Sequence, residues 1–360
     1  MHFNPQPKIL KQSCRFTSVE TSAKQPPRSV LYAARFITVV VSLAGAEGVL
    51  WLGGYPSWWG MDPQWGIASA EFESDPELGW HLKQGQFDLV WPGDPSIKRC
   101  TNWNGGQRAT SEHRPSAGAL NRPQVAFFGD SFIQGYELSD WETLPWIVQQ
   151  HHPELEVSNY GVGNYSTYQA YLAMKRWIQG PVSAYYLINE YHEDRNAAAA
   201  NWLRVNRHPP SGWFYPYAEI SAGILETQRS TGNVVWPLSR HVRIVALVQD
   251  YLDIAAAYPR VRNKRQTTEM LMARMNALIQ GYGGKFTVIL FDVSREERDL
   301  LRRFLRSQQI AFVDCDHPDL KDPSLRLPDG HPNKGLNERL AGWIEPIAAP
   351  RSANVATVVP

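Results

Sequence analysis

The chain has 360 residues, 43% hydrophobic and 20% charged, enough for one large globular core with additional segments. Its formal net charge of +1, with no basic-aromatic run, gives no reason to expect a nucleic-acid partner. The three cysteines, Cys14, Cys100 and Cys315, lack metal-ligand spacing, which argues against a structural zinc site, and no other metal or organic cofactor is suggested.

In chain order, residues 1–29 carry Lys8, Lys11, Arg15, Lys24 and Arg28 against the single acid Glu20, and read as a disordered basic segment. An apolar run follows, broken by Ser42 and Glu47, and a helix over 30–54 is just long enough to span a bilayer, which needs about 20 residues. Basic residues ahead of it predict a cytoplasmic N-terminus, and Trp51, Trp58 and Trp59 resemble an interfacial belt. The main reading is a transmembrane signal anchor with the rest of the chain extracytoplasmic, periplasmic or at the cell surface. Ala44-Gly-Ala46 also reads as a signal-peptidase site, which would release a secreted protein, and Glu47, costly in lipid, admits a buried soluble helix. Outside the cytoplasm Cys100 and Cys315 could pair.

Residues 55–120 are rich in Trp, Gly and Pro and show no periodicity, so an irregular lead-in is expected, with Trp80 and Trp103 as packing residues. From 121 to 348 short apolar runs (125–128, 155–158, 184–188, 286–291, 310–314) alternate with helical patterns (141–150, 166–178, 239–257, 267–281, 295–307, 335–347). This order predicts an α/β domain whose parallel sheet is covered on both faces. Residues 197–237, with Pro209, Pro210 and Pro216, read as an insertion over one end of the sheet, and 349–360 as a loose tail.

Chemistry concentrates where predicted strands end. Val125–Phe128 runs into Gly129-Asp130-Ser131, and a serine at the carboxyl end of a parallel strand lies where such sheets place their sites. Taken alone, a turn serine is the simpler explanation. A hydroxyl needs an imidazole to take its proton, and the imidazole needs a carboxylate to hold its tautomer; Asp329-Gly330-His331 supplies both from one loop. After the second strand, Asn159-Tyr-Gly161-Val-Gly163-Asn164 has glycines that let a backbone N–H face an oxyanion, although Ser166 or Thr167 as a helix cap explains the loop equally. After the third, Asn189, His192 and Asn196 offer neutral or titratable donors, among acids that read as surface ion pairs.

These four blocks, in this order, resemble the SGNH (GDSL-type) hydrolases over roughly 121–348. The N-terminal helix with the segments Asp75–Trp80 and Thr101–Arg108 resembles a membrane-anchored subgroup. The resemblance implies a flavodoxin-like three-layer α/β/α sandwich with a parallel five-stranded sheet, and hydrolysis or transfer of an acyl ester through an acyl-serine. It implies Ser131 as nucleophile, His331 as general base and Asp329 as its partner, with oxyanion donors from Ser131, Asn164 (or Gly163) and Asn189. Asp130, His192 and Asn196 are further site-lining candidates. Three departures stand out: an asparagine replaces the family's glycine donor, Asn189, His192 and Asn196 stand where the family has Gly-x-Asn-Asp, and the aspartate lies two rather than three residues before the histidine. The expected substrate is an acylated small molecule or an extracytoplasmic glycan carrying acetyl groups. The alternatives are an O-acyltransferase on a surface polysaccharide, or a catalytically silent domain that binds glycan or a partner.

Overall fold

A computed structural model of the chain describes residues 27–56, 70–91, 94–114, 122–205, 214–229 and 235–348. The expectations for residues 1–26 and for the tail from 349 lie outside these. Two compact units are formed, Met1–Tyr55 and Pro56–Pro360. The described part of the first is helix α1 (Arg28–Leu52), none of whose residues is buried and which is long and apolar enough to cross a membrane. It begins after Pro27, which lacks the N–H that a first turn leaves unpaired, and stops at Gly53-Gly54, where φ turns to +74°.

The second unit is built on one eight-stranded sheet. Its strands are β3 (Gly85–Trp91), β4 (Asp94–Trp103), β5 (Gln107–Arg108), β6 (Gln124–Gly129), β7 (Glu156–Gly161), β8 (Ser183–Ile188), β11 (Lys285–Leu290) and β12 (Ala311–Asp314). The hairpins β1 (Phe72–Asp75) with β2 (Gly79–Leu82), and β9 (Pro216–Ser221) with β10 (Ile224–Arg229), stand apart from it. The order across the sheet is β12-β11-β8-β6-β7-β5-β4-β3. Its first five members are parallel, as expected, but β5, β4 and β3 extend it antiparallel from the β7 edge through Arg108↔Asn159.

The sheet is therefore larger than the expected five strands, and the lead-in is not irregular. Its strands escaped detection because polar residues such as Lys98, Arg99 and Thr101 blur the period-two pattern, as is common near sheet edges. Cys100 on β4 and Cys315 just past β12 are both buried thiols and do not pair. Six strand spacings separate them, on the order of 25–30 Å, far beyond disulfide reach.

Alternation along the central strands sends side chains to two cores. Phe128, Tyr186, Val288 and Leu290 face helices α4 (Thr167–Trp177), α8 (Lys264–Gly281) and α9 (Arg295–Ser307). Phe127, Tyr185, Leu187 and Ile289 face α3 (Leu144–His151) and α10 (Lys334–Ala348). The unit is thus a three-layer α/β/α sandwich. Short helices α2 (Ser131–Gln134), α5 (His192–Asn196) and α6 (Ala200–Val205) follow β6 and β8. The insertion contributes α6 and the β9–β10 hairpin, whose Ala218 and Leu225 join the core beside α4 and α8.

Candidate active site

The site begins where β6 gives way to α2. Asp130 caps the helix, its Oδ1 accepting from the Phe132 N–H at 3.1 Å, so Ser131 is the first helical residue beyond the strand end. One turn later Gly135 takes a left-handed φ of +80°, where a Cβ would lie 2.4 Å from Thr143 Cγ2. The carbonyls this short helix leaves open are taken by buried Arg108, whose Nη1 donates to the oxygens of Gln134 (2.9 Å) and Gly135 (2.5 Å) and Nη2 to that of Leu138 (2.6 Å). Asp140 neutralises the guanidinium, accepting from Nε at 3.1 Å.

Against Ser131 stands the loop before α10. His331 Nε2 lies 2.8 Å from Ser131 Oγ, and His331 Nδ1 lies 2.5 Å from Asp329 Oδ2. The His331 N–H donates to the other carboxylate oxygen at 3.0 Å, so a spacing of two residues closes a small ring around the aspartate. Burial pushes the Asp329 carboxyl up, but the His331 ring and N–H hold it below the usual carboxylate value. An ionised Asp329 fixes the proton on Nδ1 and leaves the Nε2 lone pair for the serine. Gly330 (φ +92°) makes the turn, and Arg326 pins it from outside by donating to the Gly330 carbonyl at 2.7 Å and pairing with Asp292 at 3.0 Å. Phe132 meets the imidazole edge-on at 4.9 Å and Tyr136 flanks it at 5.4 Å.

The loop after β7 packs directly on α2: a Cβ at Gly161 would lie 2.3 Å from the Gln134 N atom, and Asn159 Nδ2 donates to the Ile133 carbonyl at 2.9 Å. Gly163 is not a free donor, because its N–H is given to Gln134 Oε1 at 2.5 Å; Gln134 is held in turn by buried Glu71 at 3.1 Å. Asn164 follows in the left-handed region at φ +65°. Among the described residues, neither its backbone N–H nor that of Ser131 has a hydrogen-bond partner.

The third block departs from expectation. Asn189, His192 and Asn196 are fully buried, with no surface for an oxyanion to reach. Asn189 Nδ2 donates to Asp130 Oδ2 at 2.8 Å, and its Oδ1 lies 2.8 Å from His192 Nδ1. Burial pushes the His192 imidazole down to about 4, against the opposing pull of Asp130, so it is neutral near pH 7. Asn196 receives the Tyr168 N–H and donates to Thr167 and Thr268, locking α4 to α8. Asp130 itself is buried beneath the serine rather than lining a cleft. Burial alone would raise its pKa, but Arg195, donating at 2.6 Å, leads the groups that keep it lowered.

Arg195, Arg108, Gln134 and Glu71 carry this geometry and were not assigned to it from sequence. Sequence offers two signals for them: Arg195 is a lone arginine among acids after an apolar strand, which reads as readily as a surface pair, and Arg108 closes the Thr101–Arg108 segment with no sign of what it contacts.

No family model matches the chain, and no curated protein matches it. Among solved structures, 27 chains match. TesA aligns at 11% identity over 63% of this chain and 98% of its own, with a TM-score of 0.40. A member of the lipolytic protein G-D-S-L family from Veillonella parvula aligns at 12% identity over 62% and 97%, at 0.38. AlinE4, an SGNH-hydrolase family esterase, aligns at 14% identity over 65% and 98%, at 0.28. At such identities and TM-scores, what Ser131 does has to be judged from its own surroundings.

Proposed function

We propose that this chain is a serine ester hydrolase of the SGNH type, anchored by α1 and acting on O-acyl groups, acetyl foremost, of glycans outside the cytoplasm. One observation carries the reading: the unbroken line of hydrogen bonds from Asp329 through His331 to Ser131, whose own backbone N–H, like that of Asn164, has no partner among the described residues. In the first step His331 Nε2 takes the Ser131 proton while Oγ attacks the acyl carbon. The oxygen that becomes anionic is received by the N–H groups of Ser131 and Asn164. Asp329 stabilises the imidazolium, which then gives its proton to the departing sugar oxygen as the ester bond breaks. Water attacks the acyl-serine with its proton going to His331, and the carboxylic acid leaves as Oγ recovers that proton.

A recess of ≈ 530 Å³ beside the histidine loop, lined by Lys321, Asp322 and Arg326 together with Leu320, Pro323, Leu327 and Pro328, offers room for a substrate that presents both polar and apolar groups. The test is release of p-nitrophenol from p-nitrophenyl acetate, and of acetate from an O-acetylated polysaccharide, by the protein and by Ser131→Ala. The variant is expected to lose on the order of 10⁴-fold or more in kcat. Equal rates would remove the reading, and acetyl reappearing on an added oligosaccharide would identify transfer instead of hydrolysis.

A further inference from the structure

The crossover from β8 to β11 needs one helix on its face of the sheet, and α8 supplies it by burying Leu271, Met272, Met275 and Ile279. A further helix, α7 (Arg243–Val261), precedes it in the same connection. Of its residues only Ala246, Gln249 and Ala257 are buried. These three share one side with Asp250 and Asp253 at about 100° per residue, leaving the opposite side wholly apolar from Ile244 to Pro259. Ile244, Tyr251, Ala255 and Val248 lie nearest its middle, with Tyr251 71% exposed. Leu247, Ile254 and Tyr258 widen it on one flank and Leu252 on the other, and exposed Trp236 and Leu238 lie just ahead of the helix.

A contiguous apolar face of this size on a surplus helix calls for a cover. We propose that this face of α7 lies on the lipid surface, its apolar side in the headgroup–acyl boundary. The proposal rests on the reading of α1 as a membrane anchor. Residues 53–71 join Leu52 to Phe72, a reach of at most roughly 65 Å, so an anchored domain stays within that distance of a bilayer. The composition agrees with an interfacial helix. Tyr251, Tyr258 and Trp236 are of the types enriched at headgroup depth, and Arg240 and Arg243 stand at one end with exposed Arg262 at the other. A soluble partner would have to compete with a surface that is always near.

The test uses the full chain in nanodiscs of phosphatidylcholine and phosphatidylglycerol. Cys14 is replaced by serine, Cys100 and Cys315 are buried, and a bimane is placed at Tyr251→Cys, at Ile254→Cys or, as a control, at exposed Arg303→Cys on α9. Spin-labelled lipids are expected to quench the probes at 251 and 254 several-fold more than that at 303. Equal, weak quenching at all three sites in protein that co-migrates with the discs overturns this proposal alone. Failure to co-migrate removes the anchor and the proposal together. Self-quenching at 251 that falls on dilution, with none from lipid, assigns the face to a second copy and also overturns it.

Discussion

Asn164 sits at φ +65° with its N–H unpaired, beside a glycine whose own N–H is committed to Gln134. An L-residue in that region costs roughly 1–2 kcal/mol, least for asparagine and nothing for glycine. Its proposed work is done by the backbone, so Asn164→Gly should keep kcat on p-nitrophenyl acetate close to that of the unaltered protein, whereas Asn164→Val should lower it. A loss in the glycine variant as large as in the valine one would mean that the side-chain amide, not the N–H, is the donor. The serine, the histidine and its aspartate were legible as residues because each stands in a short polar stretch after an apolar one. Spacing leaves Gly163 and Asn164 both open as donors, and what it cannot show is that Gln134, 29 positions upstream, takes the Gly163 N–H.

At the scale of elements, the four-residue α2 cannot hold itself: its open carbonyls are satisfied by Arg108, from a strand in the lead-in. Arg108→Met removes those donors and leaves Asp140 buried without its cation, at a cost of about 3–5 kcal/mol. Urea unfolding should show that loss as a lower midpoint, and kcat should fall as Ser131 loses its fixed place. A midpoint unchanged from the parent protein would show that water or a neighbouring group replaces the guanidinium. The five parallel strands were readable because burial on both faces makes them short continuous apolar runs. The antiparallel β3–β5 extension was not, since half-exposed strands with polar residues leave no such run.

For the molecule as a whole, the lead-in is fastened to the sandwich through Asp75. Its carboxylate accepts the N–H groups of Glu77 and Leu78 and a two-pronged contact from Arg176 on α4, at 2.6 and 2.9 Å. Burial opposes its ionisation, yet Arg176 and the two N–H groups bring the pKa from 3.8 down to about 2. A lowered folded value means stability present above the unfolded pKa and lost as pH falls from about 4 towards about 2. Arg176→Met should therefore lower stability at neutral pH and flatten its decline across that window, read by tryptophan fluorescence in urea at each pH. A decline as steep as the parent's would place the acid sensitivity in other carboxylates.

Residue order alone supported the alternation of strands and helices, the apolar N-terminal helix and the proposal of a serine with an imidazole partner, because periodicity and local loop chemistry are written within a dozen residues. Folding decided the remainder. It joined Arg108 and Glu71 to α2, sank Asn189, His192 and Asn196 beneath Asp130, and set Cys100 and Cys315 towards opposite ends of the sheet. Such contacts join residues tens to hundreds of positions apart, and local spacing holds no record of which distant side chain satisfies a given buried polar group.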